Sequence, residues 1–158
     1  MQSPRTDSTR RQPPQEWSSG GYVVTTDPAR IDLDVVHGFL SGESYWAAGR
    51  SREDQVLANE MSRCFSVVHE PSGAFVGFAR VLTDDVSFGW VADVFVVETH
   101  RGHGVGVFLM QCVVEAHAHI SRLVLGTRDA HGVYARVGFQ PLSRVERWME
   151  HWNRVPPP

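Results

Sequence analysis

A glycine-rich segment, Arg101-Gly-His-Gly-Val-Gly106, is the feature of this sequence that points most clearly to chemistry. Continuous apolar residues precede it and an amphipathic helical pattern follows it, which predicts a strand-to-helix junction. Glycine lets the backbone turn sharply there and lets a ligand approach without meeting a Cβ atom. The free N–H groups at the helix start carry roughly half a positive charge. The segment therefore predicts an anion site, with phosphate or pyrophosphate as the guest.

Two well-known phosphate loops do not fit this segment. A dinucleotide fingerprint needs Gly-x-Gly-x-x-Gly, whereas Gly102, Gly104 and Gly106 are each two residues apart. A nucleotide P-loop needs Gly-Lys-Ser/Thr, and all fifteen basic residues of this chain are arginine. A tight turn whose glycines only permit chain reversal stays open as the structural alternative.

The elements that must position the loop alternate between strand and helix patterns. Asp32 caps a helix that begins at Leu33, and Ser51 with Asp54 marks a second helix from Arg52 to about Ser62. Gly104 opens a third helix, and a fourth is expected around Ala130–Val137. Strands are predicted at residues 22–26, 64–69, 74–81, 88–97 and 123–125, with the last strands at Phe139 and Arg144–Met149. We expect an α/β fold in which about four helices flank a mixed, mostly antiparallel central sheet.

Length and composition indicate one domain. The chain has 158 residues and 42% hydrophobic content, which suits a single compact core. Residues 1–20 are rich in Pro, Ser, Arg and Gln and predict a disordered tail, and residues 155–158 predict a second tail. The folded domain is therefore expected over residues 21–154.

Several function classes are disfavoured by composition. A net charge of −3 argues against nucleic acid as a partner, and no apolar run is long enough for a membrane span. The two cysteines, Cys64 and Cys112, cannot form a disulfide framework and suit the reducing cytoplasm. No metal is expected, because the pairs His100/His103 and His117/His119 lack the partner ligands of a zinc site.

Three segments together resemble the GNAT superfamily of acyl-CoA-dependent N-acyltransferases. Arg101–Gly106 looks like the family's pyrophosphate loop, and Ala130–Phe139 looks like its Ala-x-x-x-Tyr-x-x-x-Gly-Phe segment. Phe75–Arg80 fits its third strand. The resemblance extends from Tyr22 to about Met149. Ser44–Ala47, Thr127–His131 and Glu146–Met149 are also similar to an uncharacterised subgroup.

This resemblance implies that acetyl-CoA is the co-substrate. It implies that the strand at residues 94–96 pairs with the pantetheine arm and that the glycine loop binds the pyrophosphate. A backbone N–H near Phe95 or Val96 would polarise the thioester carbonyl, provided that the strand is splayed from its neighbour. The implied cofactor-binding residues are Val94, Phe95, Val96, Arg101, Gly102, His103, Gly104, Val105 and Gly106.

The resemblance assigns Tyr134 as the general acid that protonates the departing thiolate; a space-filling core tyrosine is the alternative. The base that deprotonates the amine stays open among several residues. Asp93 lies in an apolar strand, so it is either desolvated and functional or satisfied by a partner such as Arg80. His131 either shuttles a proton or bonds Asp129. The other candidates are Asp84, Asp85 and Glu98.

The acceptor is predicted to be a small molecule with a cationic primary amine, with a peptide N-terminus as the alternative and neither nucleic acid nor membrane lipid as a partner. The predicted acceptor residues are Tyr45, Trp46, Asp84 and Trp90, whose aromatic faces suit a cation. Core packing explains the same aromatics, and Asp84 also fits an ordinary turn. A homodimer stays open.

Two other functions also remain open at this point. A non-catalytic module that senses CoA or acyl-CoA would use the same loop without turnover. A nucleotide- or phosphosugar-binding domain would use the same loop, and it would be protected by bound ATP or NAD and not by CoA.

Overall fold

The computed structural model describes residues 12–154 as an α/β fold built on one six-stranded sheet. The spatial order β1-β2-β3-β4-β5-β6 follows the chain, and every neighbouring pair is antiparallel except β5 and β6. This confirms the predicted mixed, mostly antiparallel sheet. The strands are β1 Glu16–Ser19, β2 Tyr22–Thr25, β3 Arg63–His69, β4 Ala74–Thr83, β5 Gly89–Val96 and β6 Leu123–Val124.

Four α-helices accompany the sheet in this part of the chain: α1 Leu33–Gly42, α2 Arg52–Glu60, α3 Val105–Ala116 and α4 His131–Ala135. The two predicted N-caps are confirmed. Asp32 accepts a hydrogen bond from the backbone N–H of Val35 at 3.2 Å, and Ser51 accepts one from that of Asp54 at 3.1 Å. None of the helices within residues 12–154 is long and apolar enough to cross a membrane.

The predicted disordered tail over residues 1–20 is wrong at its C-terminal end. Residues 16–19, which were expected to be disordered, form β1 and pair with β2 from Glu16↔Thr25 to Ser19↔Tyr22. Gly20 and Gly21 turn the chain between the strands with positive φ angles of 57° and 82°. Trp17 holds the strand in place by stacking on Phe65 with ring centroids 6.2 Å apart. The rest of the predicted tails, residues 1–11 and 155–158, lies outside the described residues.

The predicted last strands at Phe139 and Arg144–Met149 are wrong. This stretch contains a 3-10 helix, Val145–Arg147, and Met149 is 97% exposed. Its β-like residue pattern finds no neighbouring strand to pair with, and Trp148 instead lies beneath the Arg122 guanidinium at 5.0 Å. Across residues 12–154 the element order is therefore β-β-α-α-β-β-β-α-β-α.

The core occupies both faces of the sheet. Leu109 and Val113 of α3 pack with Phe65 and Val67 on one face. On the other face, α1 packs its buried side chains against the sheet around Phe95. Phe39 of α1 stacks on Phe95 at a centroid distance of 4.1 Å. Helices on both faces therefore hold β5 rigidly where the site begins.

The sheet opens between β5 and β6. These two strands pair only through Gly89↔Leu123 and Trp90↔Val124, although β5 continues to Val96. Among the described residues, the second half of β5 therefore has no partner strand on its β6 side. The splay that the sequence required but could not reveal is present.

Candidate active site

A cleft of about 840 Å³ occupies the gap between the splayed strands. Its walls come from β5, the glycine loop before α3, α4, and the connections from α1 to α2 and from β6 to α4, with Arg80 of β4. The predicted cofactor residues that line it are Val94, Phe95, Val96, Arg101, Gly102, Gly104, Val105 and Gly106. His103 is exposed and is not among the lining residues, so the structure does not bring it to the cleft.

The glycine loop has the geometry of an anion site. Gly102 and Gly104 adopt positive φ angles of 78° and 77°, and a Cβ built on either would meet no atom within 4 Å. Gly104 is the N-cap of α3, and no side chain caps this helix. The first N–H groups of α3 therefore have no intrahelical or side-chain partner. Arg101 Nε donates to the Val96 carbonyl at 2.9 Å and ties the loop to β5.

The backbone N–H of Val96 faces the open side of β5. Val97 N–H donates to Val76 O of the neighbouring strand at 2.9 Å, and donor direction alternates along a strand. Phe95 N–H is thus on the β4 side, and Val96 N–H is on the cleft side. Of the two N–H groups that the sequence left open for polarising a carbonyl, the geometry favours the one on Val96.

A bulge interrupts β5 immediately before this N–H. Arg80 pairs with Ala92 and Phe78 pairs with Phe95, so two residues of β5 oppose the single residue Ala79. Asp93, the first of the two, has a φ angle of +54°, which is uncommon for a residue with a side chain. A bulge bends and twists its strand, which here turns the end of β5 away from β6.

The Asp93 carboxylate anchors the bulge through three donors. Arg50 Nη1 and Arg80 Nε lie 2.6 Å and 2.5 Å from its Oδ2, and Trp46 Nε1 donates to its Oδ1 at 3.0 Å. Burial would raise the pKa of Asp93, but the hydrogen bonds and charges of the two arginines outweigh it and hold the pKa below its usual value. Of the two alternatives for Asp93, the geometry favours the second: the carboxylate is bonded to structural partners and is not a free base.

Arg50 is a residue that the sequence reasoning missed. It also donates from Nη1 to Gln55 Oε1 at 2.9 Å, and its carbonyl bonds the His37 ring at 2.9 Å. Gln55 is fully buried and donates in turn to Asn59 at 2.8 Å. The lone charge in an apolar strand signalled Asp93, but no local pattern linked it to an arginine 43 positions earlier.

Tyr134 lines the cleft from α4. It is 9% exposed, its ring packs edge-on against Phe139, and its hydroxyl forms no hydrogen bond with another described residue. Burial, assisted by the nearby Tyr45 and Asp129, raises the pKa of Tyr134 to about 12. The hydroxyl therefore stays protonated across the physiological range and is available to a ligand.

Two predicted site residues lie elsewhere. His131 is exposed, is not among the lining residues and forms no bond with Asp129, whose carboxylate is 3.8 Å from Arg128 instead. Asp84 is an exposed turn residue: its carboxylate accepts from the Ser87 hydroxyl and from the backbone N–H groups of Val86, Ser87 and Phe88. The Ser87 hydroxyl and then these N–H groups lower the pKa of Asp84. Asp84 therefore stabilises a local turn, and neither residue lies among those that line the cleft.

Tyr45, Trp46 and Trp90, which the sequence predicted as acceptor residues, are among those that line the cleft. The Tyr45 hydroxyl accepts from the backbone N–H of Arg128 at 3.2 Å, and the Arg128 guanidinium lies 3.9 Å above its ring. Tyr45 therefore closes one end of the cleft against the β6–α4 connection. Trp46 and Trp90 remain 36% and 41% exposed and present aromatic surface to a ligand.

Neither a nucleophilic cysteine nor a metal cluster accompanies the cleft in residues 12–154. Burial raises the pKa of the Cys112 thiol to about 12, so no thiolate forms there at neutral pH. No group of three or more His, Cys, Asp or Glu residues in this part of the chain could hold a metal ion. Tyr134 is the buried acid–base group of the cleft whose hydroxyl has no partner among the described residues, while Glu43, Tyr45, His100 and Asp129 also line it.

The fold and the cleft define a class of α/β proteins: a splayed, mostly antiparallel sheet beside an uncapped helix start that offers free N–H groups. Comparison with known proteins identifies the family within this class. The family model described as acetyltransferase (GNAT) family matches residues 33–139. The chain belongs to this family and is a GNAT-like N-acetyltransferase.

Individual relatives agree with this assignment. A Gibberella zeae protein named as a "putative acetyltransferase" is 31% identical over 143 residues, which cover 78% of this chain and 81% of that protein. A GNAT-family structure from Xanthomonas campestris is 36% identical, covers 88% of this chain and 96% of its own, and has a TM-score of 0.78. A Deinococcus radiodurans structure shares only 18% identity over 88% and 94% of the two chains, and its TM-score of 0.66 shows the common fold.

Proposed function

We propose that the protein transfers the acetyl group of acetyl-CoA to a primary amine by direct attack, with Tyr134 as the general acid. One observation carries this proposal: the uncapped start of α3, the Val96 N–H and the Tyr134 hydroxyl all face the same 840 Å³ cleft. A phosphate site, a carbonyl-polarising donor and a proton donor are the three groups that a thioester acyl transfer needs.

The glycine loop would bind the pyrophosphate of acetyl-CoA. Gly102 and Gly104 leave open space where other residues carry a Cβ, so phosphate oxygens can reach the backbone N–H groups. Arg101 and Arg136 line the same cleft and add positive charge. The pantetheine arm would then run along the unpaired side of β5 at residues 94–96.

The Val96 N–H would polarise the thioester carbonyl. It points into the gap and has no β6 strand to bond, so it is free to donate to the oxygen on which negative charge develops. A fixed donor of this kind stabilises the tetrahedral transition state without reorganising during the reaction. Asp93 contributes as a positioning residue, because its ion pairs hold the bulge that sets the direction of β5.

Tyr134 would balance the protons of the reaction. The amine nitrogen attacks the carbonyl carbon, the C–S bond breaks, and the Tyr134 hydroxyl gives its proton to the departing thiolate. The attacking nitrogen gives its surplus proton to the tyrosinate, directly or through water. A pKa near 12 makes the hydroxyl a weak acid and the tyrosinate a strong base, so the two transfers support each other.

The acceptor is proposed to be a small molecule with a primary amine, bound beside Tyr45, Trp46 and Trp90. A peptide N-terminus fits the same amine chemistry. Asp93 is already neutralised and Asp84 lies outside the lining, so neither supplies a free negative charge for an ammonium. The amine would enter neutral, and after attack its nitrogen would give up one surplus proton and keep the other as the amide N–H.

The test combines binding with turnover. Calorimetry with CoA and acetyl-CoA should give dissociation constants below the millimolar range. Thiol release from acetyl-CoA over a panel of primary amines should give at least one substrate. Tyr134→Phe should lower kcat by about 10²–10⁴-fold while CoA affinity stays near the wild-type value. Tyr22→Phe is the matched control, since it also removes one tyrosine hydroxyl, but one that bonds the His100 ring at 2.9 Å.

CoA binding without thiol release from any amine would contradict the enzymatic part of this proposal and favour a CoA sensor. Protection by ATP or NAD but not by CoA would contradict the donor assignment.

A further inference from the structure

Two arginines converge on one carboxylate at the acceptor side of the cleft. Arg50 Nη1 and Arg80 Nε both lie within 2.6 Å of the same oxygen, Oδ2 of Asp93. The two guanidinium groups are therefore close neighbours, and Asp93 neutralises only one of their two positive charges. The other direct partners of this cluster are neutral: Trp46, Gln55 and Ser62.

Each of the two guanidinium groups has one nitrogen, Nη2, that donates no hydrogen bond within the described residues. Arg50 uses Nη1 for both Gln55 and Asp93, and Arg80 uses Nε for Asp93 and Nη1 for Ser62 at 3.1 Å. The Nη2 atoms of both residues have no bond to a described residue. In residues 12–154, the side-chain polar atoms that are both fully buried and without a hydrogen-bond partner are Ser66 Oγ and His117 Nε2, so neither Nη2 atom is fully buried. Both Nη2 groups therefore meet solvent, and both side chains line the cleft.

The charge balance around these donors favours a guest with one negative charge. Five arginines and three carboxylates line the cleft. The two carboxylates other than Asp93 do not compete for the pair, since Glu43 is exposed and Asp129 lies 3.8 Å from Arg128. One surplus positive charge, with one unused Nη2 donor on each of two neighbouring arginines, matches a carboxylate, whose two oxygens accept hydrogen bonds from guanidinium nitrogens.

We propose that Arg50 and Arg80 form a carboxylate subsite, so that the acceptor of acetyl transfer is an amine that also carries a carboxylate: an amino acid or a short amino-acid-like acid. The inference rests on the proposed function. The subsite at Asp93 and the Val96 N–H are three residues apart on β5, at most about 10 Å, which is the length of three residues in a fully extended strand. The carboxylate therefore orients the molecule from one end while its amine reaches the thioester.

The test compares amines that differ only in the carboxylate. Thiol release from acetyl-CoA is measured for glycine, β-alanine, 4-aminobutyrate and the nineteen standard L-amino acids, each against its own carboxamide. An amide keeps the shape of the acid and removes the charge. We expect kcat/KM for the best acid to exceed that for its amide by at least tenfold. Equal values, or a preference for the amide, would overturn the inference while leaving acetyl transfer to amines intact.

Variants then assign the preference to the arginine pair. Arg50→Lys keeps a positive charge beside Asp93 but removes Nη2, so the ratio of kcat/KM between acid and amide should fall at least fivefold, mainly through KM for the acid. Arg80→Lys should do the same. Arg52→Lys is the matched control, because Arg52 forms a 2.6 Å pair with Asp34 on the surface with half of its side chain exposed. An unchanged ratio in both cleft variants would overturn the assignment.

A binding measurement decides the case in which no panel amine releases thiol. Ligand-observed NMR, with CoA present, compares N-acetylated amino acids with their N-acetylated amides. Binding of the acids that Arg50→Lys weakens supports the subsite, and absence of any preference for the acids overturns it. Failure of the proposed function itself would show separately, as absence of CoA binding in calorimetry.

Discussion

Replacing Asp93 with Asn tests the anchor of the site. Asn keeps the size of the side chain and, like Asp, tolerates the positive φ angle of 54° at this position. It removes the negative charge that faces Arg50 and Arg80, whose side chains are only 21% and 11% exposed. The substitution therefore isolates the charge from the geometry of the bulge.

The expected loss is about 2–3 kcal/mol of unfolding free energy. Removing one partner of a buried ion pair costs about 3–5 kcal/mol, because the remaining charge stays unpaired. The value here is lower, since the amide oxygen still accepts from one donor and Arg50 is partly reached by water. For a domain of this size the loss corresponds to a fall in Tm of about 4–12 °C.

The measurement is urea unfolding followed by tryptophan fluorescence, with Asp34→Asn as the control. Asp34 pairs with Arg52 at the same 2.6 Å, but both side chains are exposed, so we expect a loss of unfolding free energy below about 1 kcal/mol.

The pKa of Asp93 is lowered on folding, so its contribution to stability is complete above the unfolded pKa of about 3.9 and declines as the pH falls towards the folded pKa. The difference between wild type and Asp93→Asn should thus be constant from pH 8 to about pH 5 and shrink below about pH 4. Losses of equal size in the two variants, or a difference that grows on acidification, would refute the reasoning.

Three further predictions concern the loop, the acid and the sheet. Gly104→Val should raise the dissociation constant for CoA by at least tenfold in calorimetry, because a β-branched residue is strained at a φ angle of 77° and covers the N–H groups of α3, whereas Gly38→Val on the exposed face of α1 should leave it unchanged. With a pKa near 12, Tyr134 should produce no alkaline decline in kcat between about pH 7 and 10; a limb in that range that disappears in Tyr134→Phe would contradict the assignment. Gly89→Ala should lose about 1–3 kcal/mol in urea unfolding, since its Cβ would lie 2.7 Å from Leu123 Cδ2, 3.1 Å from Ile120 Cδ1 and 3.2 Å from Val81 Cγ1. Gly38→Ala, where nothing lies within 4 Å of the new atom, should be neutral or stabilising, and an equal loss there would remove the steric explanation for Gly89.

Local chemistry made much of the fold predictable from the sequence. The caps at Asp32 and Ser51 depend on atoms three residues away, and the glycine loop carries its own backbone requirement at Gly102 and Gly104. These features are encoded within one turn of chain. They correctly located the helices and the loop that faces the cleft.

Features that depend on distant partners were not predictable in the same way. β1 exists because Trp17 reaches Phe65, 48 positions further along, and the composition around it resembles a disordered tail. The stretch at residues 144–149 has a strand-like pattern but no neighbouring strand, so it forms a 3-10 helix. Local patterns cannot distinguish these two outcomes.

In the candidate site, too, features set by local sequence were predictable and features set by distant partners were not. Asp93 was recognisable as a charge in an apolar strand, but its function as the anchor of a bulge depends on Arg50, Arg80 and Trp46 together. His131 and His103 lie in the correct segments, yet helix and loop geometry leaves both exposed and off the cleft. Rotation about a short helix or loop decides such positions, and sequence spacing alone does not fix it.

A crystal structure of the protein with bound CoA tests the central claim most directly. The account predicts pyrophosphate oxygens at about 2.9 Å from backbone nitrogens in the Gly102–Gly106 loop, the pantetheine arm along residues 94–96, and the thiol sulfur next to the Tyr134 hydroxyl. CoA bound outside the β5–β6 cleft, or with its sulfur remote from Tyr134, would contradict it.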